Sequence, residues 1–261
     1  MSCQHCYEGG LLNGEAKGTV KRFETMDFYV AEGSGNDKTK AIVLGVDIFG
    51  LVINNPRIIA DILAKETGLS VYAPDYFEGD YPDTALLKPA QEGEPTAPAP
   101  PPPFSFDRDR FRAAHPPERC QELSIKFINF LKAEHGYQRI GWVGYCWGGG
   151  LAIRLATADS PVDVAICAHP GGITSEHFKA VSKPVALICA ETDQLFDEHK
   201  AAAIAILEEK KQATGLPYVV NDHYPATVHG FAARPNLANP TTKASFETSL
   251  KDTVVFFKEY L

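Results

Sequence analysis

Five residues constrain this chain more than any other feature: Gly144-Tyr145-Cys146-Trp147-Gly148. They follow an apolar run, Arg139-Ile-Gly-Trp-Val143, that reads as a strand. They lead into Gly148-Gly149-Gly150 and an apolar segment that reads as a helix. A G-x-C-x-G between strand and helix is a G-x-S-x-G nucleophile elbow with Cys in place of Ser. The glycines have a physical purpose. An elbow sits on a sharp, strained turn, and neighbours without side chains let strand, helix and substrate approach it. The plain alternative is a packed cysteine at a tight turn. A thioredoxin-type pair is disfavoured because no second Cys lies three residues away, and the papain-type C-G-[SA]-C-[WY] signature is missing.

The rest of the chain has the rhythm such an elbow needs. Apolar runs at Ala41–Val46, Leu69–Ala73, Arg139–Val143, Asp163–Ala168, Pro184–Ala190 and Leu216–Tyr224 read as strands. Between them lie helical patterns: one with Asn55 as N-cap, Pro56 at its first position and Gly68 as its stop, then about Pro117–Glu134, Trp147 onward, Asp197–Ala213 and Ala244–Glu259. Phe23–Val30 begins the sheet in antiparallel fashion. This alternation predicts an α/β fold, a mostly parallel sheet with helices on both faces, in a single domain spanning 1–261. Residues 1–22 read as an N-terminal arm and 89–112 as a surface insertion. Seven of the 15 residues from Pro89 to Pro103 are proline, which suits an extended polyproline segment, an active-site flank or a partner's ligand. Asp107–Arg112, charge-dense, is expected to be solvated, though it could bring an arginine toward a pocket.

An elbow demands an acid and then a histidine later in the chain. Asp193 lies 47 residues beyond Cys146, just after a strand-like run, and His229 lies 36 further on, in a loop before Gly230. Asp197 and Asp222 compete for the acid, and His169, His199 and His223 for the base. Asp197 and His199 look like a helix start, where Asp caps. His223 sits in a strand pattern. For the oxyanion, the N–H of Trp147 and that of Ile48, in the loop Gly45–Gly50, are the candidate donors. Asp47 either modulates the thiol by repelling a thiolate or caps its own loop. Tyr145 and Phe49, beside the nucleophile and in the oxyanion loop, are candidates for substrate contact.

Composition excludes other classes. With 25 Lys+Arg against 33 Asp+Glu the net charge is −8, with no basic stripe for nucleic acid. The longest tempting apolar run, Gly141–Ile153, has 13 residues and five glycines, too short to span a bilayer. The N-terminus shows no secretory or transit pattern, so a soluble cytoplasmic protein is expected. Six cysteines in 261 residues are too sparse for a disulfide framework, and Cys167 and Cys189 fall in strand-like runs as reduced core residues. Cys3-x-x-Cys6 has metal spacing but no second pair, so neither metal nor cofactor is expected.

Taken together, Asp47-Ile-Phe-Gly50, Tyr72-Ala-Pro-Asp75, Gly144-Tyr-Cys-Trp-Gly-Gly149, Glu191-Thr-Asp193 and His229-Gly-Phe-Ala232 resemble the dienelactone hydrolase family of cysteine-dependent α/β-hydrolases, in the style of its fungal branch. The likeness spans roughly residues 25 to 260. It implies Cys146 as nucleophile, His229 as base, Asp193 as its orienter, and Ile48 and Trp147 as oxyanion donors. It also implies hydrolysis of a small lactone or activated ester without metal or organic cofactor, by a monomer or homodimer. Where bacterial members hold the resting thiol with a Glu, this chain has the shorter Asp47. Members grip a substrate carboxylate with arginines. Arg234 is the candidate after His229, with Arg108, Arg110 or Arg112 for the segment near the insertion. A broader carboxylesterase or thioesterase, and a non-catalytic binding protein using the proline segment, are the alternatives.

Overall fold

The structure, a computed structural model, describes residues 9–84, 87 and 106–261. Cys3, Cys6 and the stretch Pro89–Pro103 lie outside the described residues. Among the described residues, eight strands form one sheet: β1 (Thr19–Phe23), β2 (Met26–Ala31), β3 (Lys40–Gly45), β4 (Ser70–Pro74), β5 (Arg139–Tyr145), β6 (Val164–Ala168), β7 (Val185–Ile188) and β8 (Tyr218–Asn221). Their spatial order is β1-β2-β4-β3-β5-β6-β7-β8. Only β1, β2 and the β2–β4 seam are antiparallel, and β4 through β8 run parallel. The expected antiparallel start of the sheet is a hairpin of β1 and β2, turned at Glu24 with φ 53° before Met26. Thr19–Arg22 of the expected arm is therefore edge strand β1.

Among the described residues, six α-helices flank the sheet: α1 (Asn55–Thr67), α2 (Arg108–Ala114), α3 (Pro117–His135), α4 (Trp147–Leu155), α5 (Asp197–Thr214) and α6 (Pro240–Tyr260). α1, α3 and α5 stop where their sequences place Gly68, Gly136 and Gly215. Each is left-handed and returns its N–H to the last turn. α6 begins a turn earlier than its periodicity suggests, since Asn239 accepts from the N–H groups of Thr241 and Thr242 ahead of Pro240. α1 is not capped by Asn55. That side chain is buried and holds distant loops instead, accepting from Leu12 N–H and donating to the carbonyls of Gly10 and Ala233.

The central strands are apolar throughout because both sheet faces are covered, α1 packing beside α6 and α3 beside α4. Each fully buried Val, Leu, Ile or Phe contributes about 1.5–3 kcal/mol. The register fixes the working edge. Gly45 pairs with Gly144, Tyr145 with Ala168, Ala168 with Ile188 and Ile188 with Asn221, so five strands end together. The chain crosses from β3 outward to β4 and back to β5. The crevice at the carboxyl ends of β3 and β5 is thus a switch point, where open α/β sheets bind ligands.

Candidate active site

Cys146 follows the last residue of β5 and precedes α4 with φ 53° and ψ −106°. A non-glycine residue there is strained, and it persists because its surroundings over-determine it. The Cys146 N–H donates to the Ala168 carbonyl at 3.1 Å and to His169 Nδ1 at 3.2 Å. Its carbonyl accepts from Gly150 N–H at 3.0 Å and Gly171 N–H at 2.8 Å. The glycines around it are required by contact. A Cβ on Gly144 would lie 1.7 Å from the Gly148 oxygen, and one on Gly148 would lie 2.2 Å from the Gly45 oxygen.

Trp147 opens α4, so its N–H is one of the donors a helix start leaves without an intrahelical partner. The facing loop is locked to it. The Val46 carbonyl, two residues before Ile48, accepts from both Gly148 N–H and the Tyr76 hydroxyl. Within that loop, Asp47 accepts from Phe49 N–H through Oδ1 at 2.9 Å.

Asp193 and His229 meet although 36 residues separate them. The His229 Nδ1 lies 2.9 and 3.0 Å from the two Asp193 oxygens. A carboxylate only accepts, so Nδ1 carries the proton and Nε2 the lone pair. Their loops are stitched together: Thr192 bridges Val228, and Glu191 N–H donates to Thr227 Oγ1 at 2.9 Å. Asp197 opens α5 as its sequence suggests, but its side chain does not cap that helix: it accepts from Asp193 N–H through Oδ2 at 2.8 Å and so aims the acid. His229 and Asp193 are 1% and 2% exposed, and Cys146 3%.

A match to the model of the dienelactone hydrolase family covers residues 26–261. The chain belongs to the dienelactone hydrolase family. It is 30% identical to hydrolase pyvD of Aspergillus violaceofuscus, over 99% of this chain and 96% of that protein. It is 28% identical to "Dienlactone hydrolase 1" of Gibberella moniliformis, over 90% of this chain and 85% of the relative. Among solved structures, a putative dienelactone hydrolase from Klebsiella pneumoniae superposes with a TM-score of 0.62 at 18% identity, covering 90% of this chain and 93% of that one. The fold is therefore that of the α/β-hydrolases, and the protein is a hydrolase of the esterase type.

Other residues of this dienelactone hydrolase family member take up places the sequence alone leaves open. Arg234 is buried, its Nε donating to Asp47 Oδ2 at 2.8 Å and its guanidinium lying 4.9 Å from the Phe49 ring centre. Asp47 thus both caps its loop and binds an arginine 187 residues away. Tyr145 is buried and borders a small cavity with Val46, Asp47, Ile53 and Ala233. Burial holds its hydroxyl well above the usual phenol range. Arg110 pairs with Asp80 at 2.5 Å. The stretch expected to be solvated is helix α2. Asp107 caps it by accepting from Arg110 N–H, and Phe111 is buried against Phe77 and Trp147, with centroids at 5.0 and 5.9 Å. Of the histidines weighed as bases, His223 lies beyond β8 near Asp252 and His199 in α5 beside Glu198. His169 contacts both the elbow and the base: its Nδ1 accepts from the Cys146 N–H, and its ring lies 5.2 Å from that of His229. Burial pushes Cys189 up to about 12 and Cys167 well above the ordinary thiol range, so both are inert at neutral pH. No group of three or more His, Cys, Asp or Glu among the described residues is arranged to hold a metal. Among them, no helix is long and apolar enough to cross a membrane.

Proposed function

We propose that this hydrolase cleaves lactones or activated esters through Cys146, His229 and Asp193 by way of an acyl-thioester. One observation carries the reading: a cysteine held at positive φ on the strand–helix joint, at the sheet edge where a buried Asp193–His229 pair also lies. His229 Nε2 takes the thiol proton, and Asp193 holds the imidazole in the required tautomer and stabilises the imidazolium. The Cys146 sulfur attacks the acyl carbon, and the oxyanion accepts from the N–H groups of Trp147 and Ile48. Losing one such donor typically costs about 10²–10³ in rate. The leaving alkoxide or enolate takes the proton back from His229. The same imidazole then activates water to hydrolyse the thioester. With an unactivated amide the intermediate tends to expel the better-leaving thiolate, which favours esters, lactones and thioesters as substrates.

A broader carboxylesterase is the second reading, and Arg234 favours it. The charge that a substrate carboxylate would seek is neutralised by Asp47 at 2.8 Å, while Phe77, Phe111 and Trp147 set an aromatic wall beside the elbow. Intact-protein mass spectrometry after brief exposure to p-nitrophenyl acetate or to a dienelactone tests both. A transient acyl mass on the wild type and none on Cys146→Ala is expected, and the preferred compound separates the readings. Full turnover by Cys146→Ala overturns the mechanism.

A further inference from the structure

We propose that His169 is a positioning residue for acylation: its Nδ1, accepting from the Cys146 N–H, holds the elbow in the conformation that presents the thiol to His229. The inference rests on the Cys146 mechanism above and assigns a role to a histidine which that mechanism does not use.

Several contacts converge on it. His169 directly follows β6, the strand paired to β5, and its backbone takes φ 34°. His169 is fully buried, its N–H anchored to the Ile188 carbonyl at 2.9 Å. With the turn so fixed, residues 168–171 close around Cys146 from both sides. Ala168 and His169 accept its N–H, and Gly171 donates to its carbonyl. The acceptor duty decides the tautomer. Nδ1 must hold the lone pair, so the proton sits on Nε2, which has no hydrogen-bond partner among the described residues. The same ring meets His229 edge to face at 5.2 Å, with Phe231 at 5.7 Å and Tyr145 at 6.0 Å closing the cage. Nucleophile and base therefore flank one imidazole. Protonation would turn its acceptor into a second donor facing the Cys146 N–H. Burial, with His229 and Arg234 nearby, opposes that by holding its pKa well below the usual imidazole value.

Two substitutions separate the acceptor from the ring. His169→Phe keeps an aromatic ring and removes the acceptor. His169→Asn puts an oxygen where Nδ1 stands, in a residue that tolerates positive φ. The pre-steady-state acylation rate with p-nitrophenyl acetate is expected to fall about 10- to 100-fold in the Phe variant, since misplacement of a reacting group by an ångström costs that much. The Asn variant is expected to stay within about threefold of wild type. Equal rates in Phe and wild type overturn the inference. So do equally slow Asn and Phe variants, or rates that follow Tm rather than the acceptor. A wild type that never acylates overturns the mechanism and this role together, whereas a normal wild type beside an unaffected Phe variant overturns the role alone. Should the variants not fold, long-range proton–nitrogen NMR of the wild type decides. Nε2–H is the expected tautomer of His169, and Nδ1–H overturns the assignment.

Discussion

Two regions border Cys146 and are held by different forces. On the β6–β8 side, the turn at 168–171, the acid loop and the base loop are tied by backbone hydrogen bonds and a buried pair, with His229 and Asp193 side chains 0% and 3% exposed. On the β4 side, α2 and the start of α3 are strapped to the loop after β4 by longer side chains: Arg110 of α2 and His115 just beyond it on Asp80, and Arg119 of α3 on Glu78. Asp80 and Glu78 are each 26% exposed, and Arg110 is 58% exposed. The contrast separates duties. Chemistry that tolerates only fractions of an ångström is set by the sheet register, while the aromatic wall is held by contacts that water and salt can loosen. On the proposed mechanism, substrate selection would belong to the flank and reactivity to the sheet edge.

The sheet-edge side should break hardest. Asp193→Asn keeps the volume but can present an amide N–H to His229 Nδ1, which pulls the imidazole into the wrong tautomer. The mutation is expected to lower kcat on the order of 10⁴-fold with little change in Tm, read by steady-state kinetics and thermal melts. A comparable fall in Tm would mean that the pair is structural. Arg234→Met comes next. It strands the buried Asp47 carboxylate and is expected to cost about 3–5 kcal/mol in urea unfolding. Asp47→Asn added to it should restore much of that loss, because the two effects share one interaction.

The same contrast explains what the sequence could and could not reveal. Strand rhythm, glycine stops and the elbow glycines act over a few residues, so the sheet and Cys146 were legible. Asp193 and His229 could be nominated because chain order limits the choices, each at the end of an apolar run. Side-chain partnerships across the fold leave no such trace. Nothing in Asp47 announces Arg234, 187 residues on, and nothing in Asn55 announces Ala233. Asp197 looks like a cap and works as the strut of Asp193. α2 was missed because its one buried apolar residue, Phe111, sits in a run of charges. The aromatic partners that make it a helix with a buried side come from Phe77 and Trp147.

On the flank, Asp75 gives a pH signature. It is buried at the end of β4, accepting from Phe77 and Gly79 N–H, and burial pushes its pKa up to about 6. The native state therefore binds this proton more tightly than the unfolded chain. The associated stability is fully present below the unfolded pKa of about 4 and is lost as pH rises through about 6. Between pH 4 and 7.5, Asp75→Asn, which cannot ionise, should gain on the order of 2–3 kcal/mol relative to wild type. Urea denaturation of both proteins at the two pH values measures it, and a constant difference would show that Asp75 is solvated.

The smallest effect is expected where the strap itself is cut. Asp80→Asn removes the charge that faces both Arg110 at 2.5 Å and His115 at 2.8 Å. Both bonds are partly exposed at the Asp80 end, so the stability change should be only about 0.5–1 kcal/mol. Its kinetic effect should nonetheless be selective. α2 presses Phe111 toward the Trp147 ring, whereas Asp193 and His229 are held by each other and by their own loops. KM for an aryl ester should therefore rise a few-fold, kcat should hold, and a short acetate ester should be unaffected. Raising NaCl from 0.05 to about 0.5 M should reproduce part of the KM rise in wild type and none in the variant, because screening acts on the same charges. A drop in kcat with unchanged KM would instead place the strap on the side of the chemistry, and the division between the two regions would fail there.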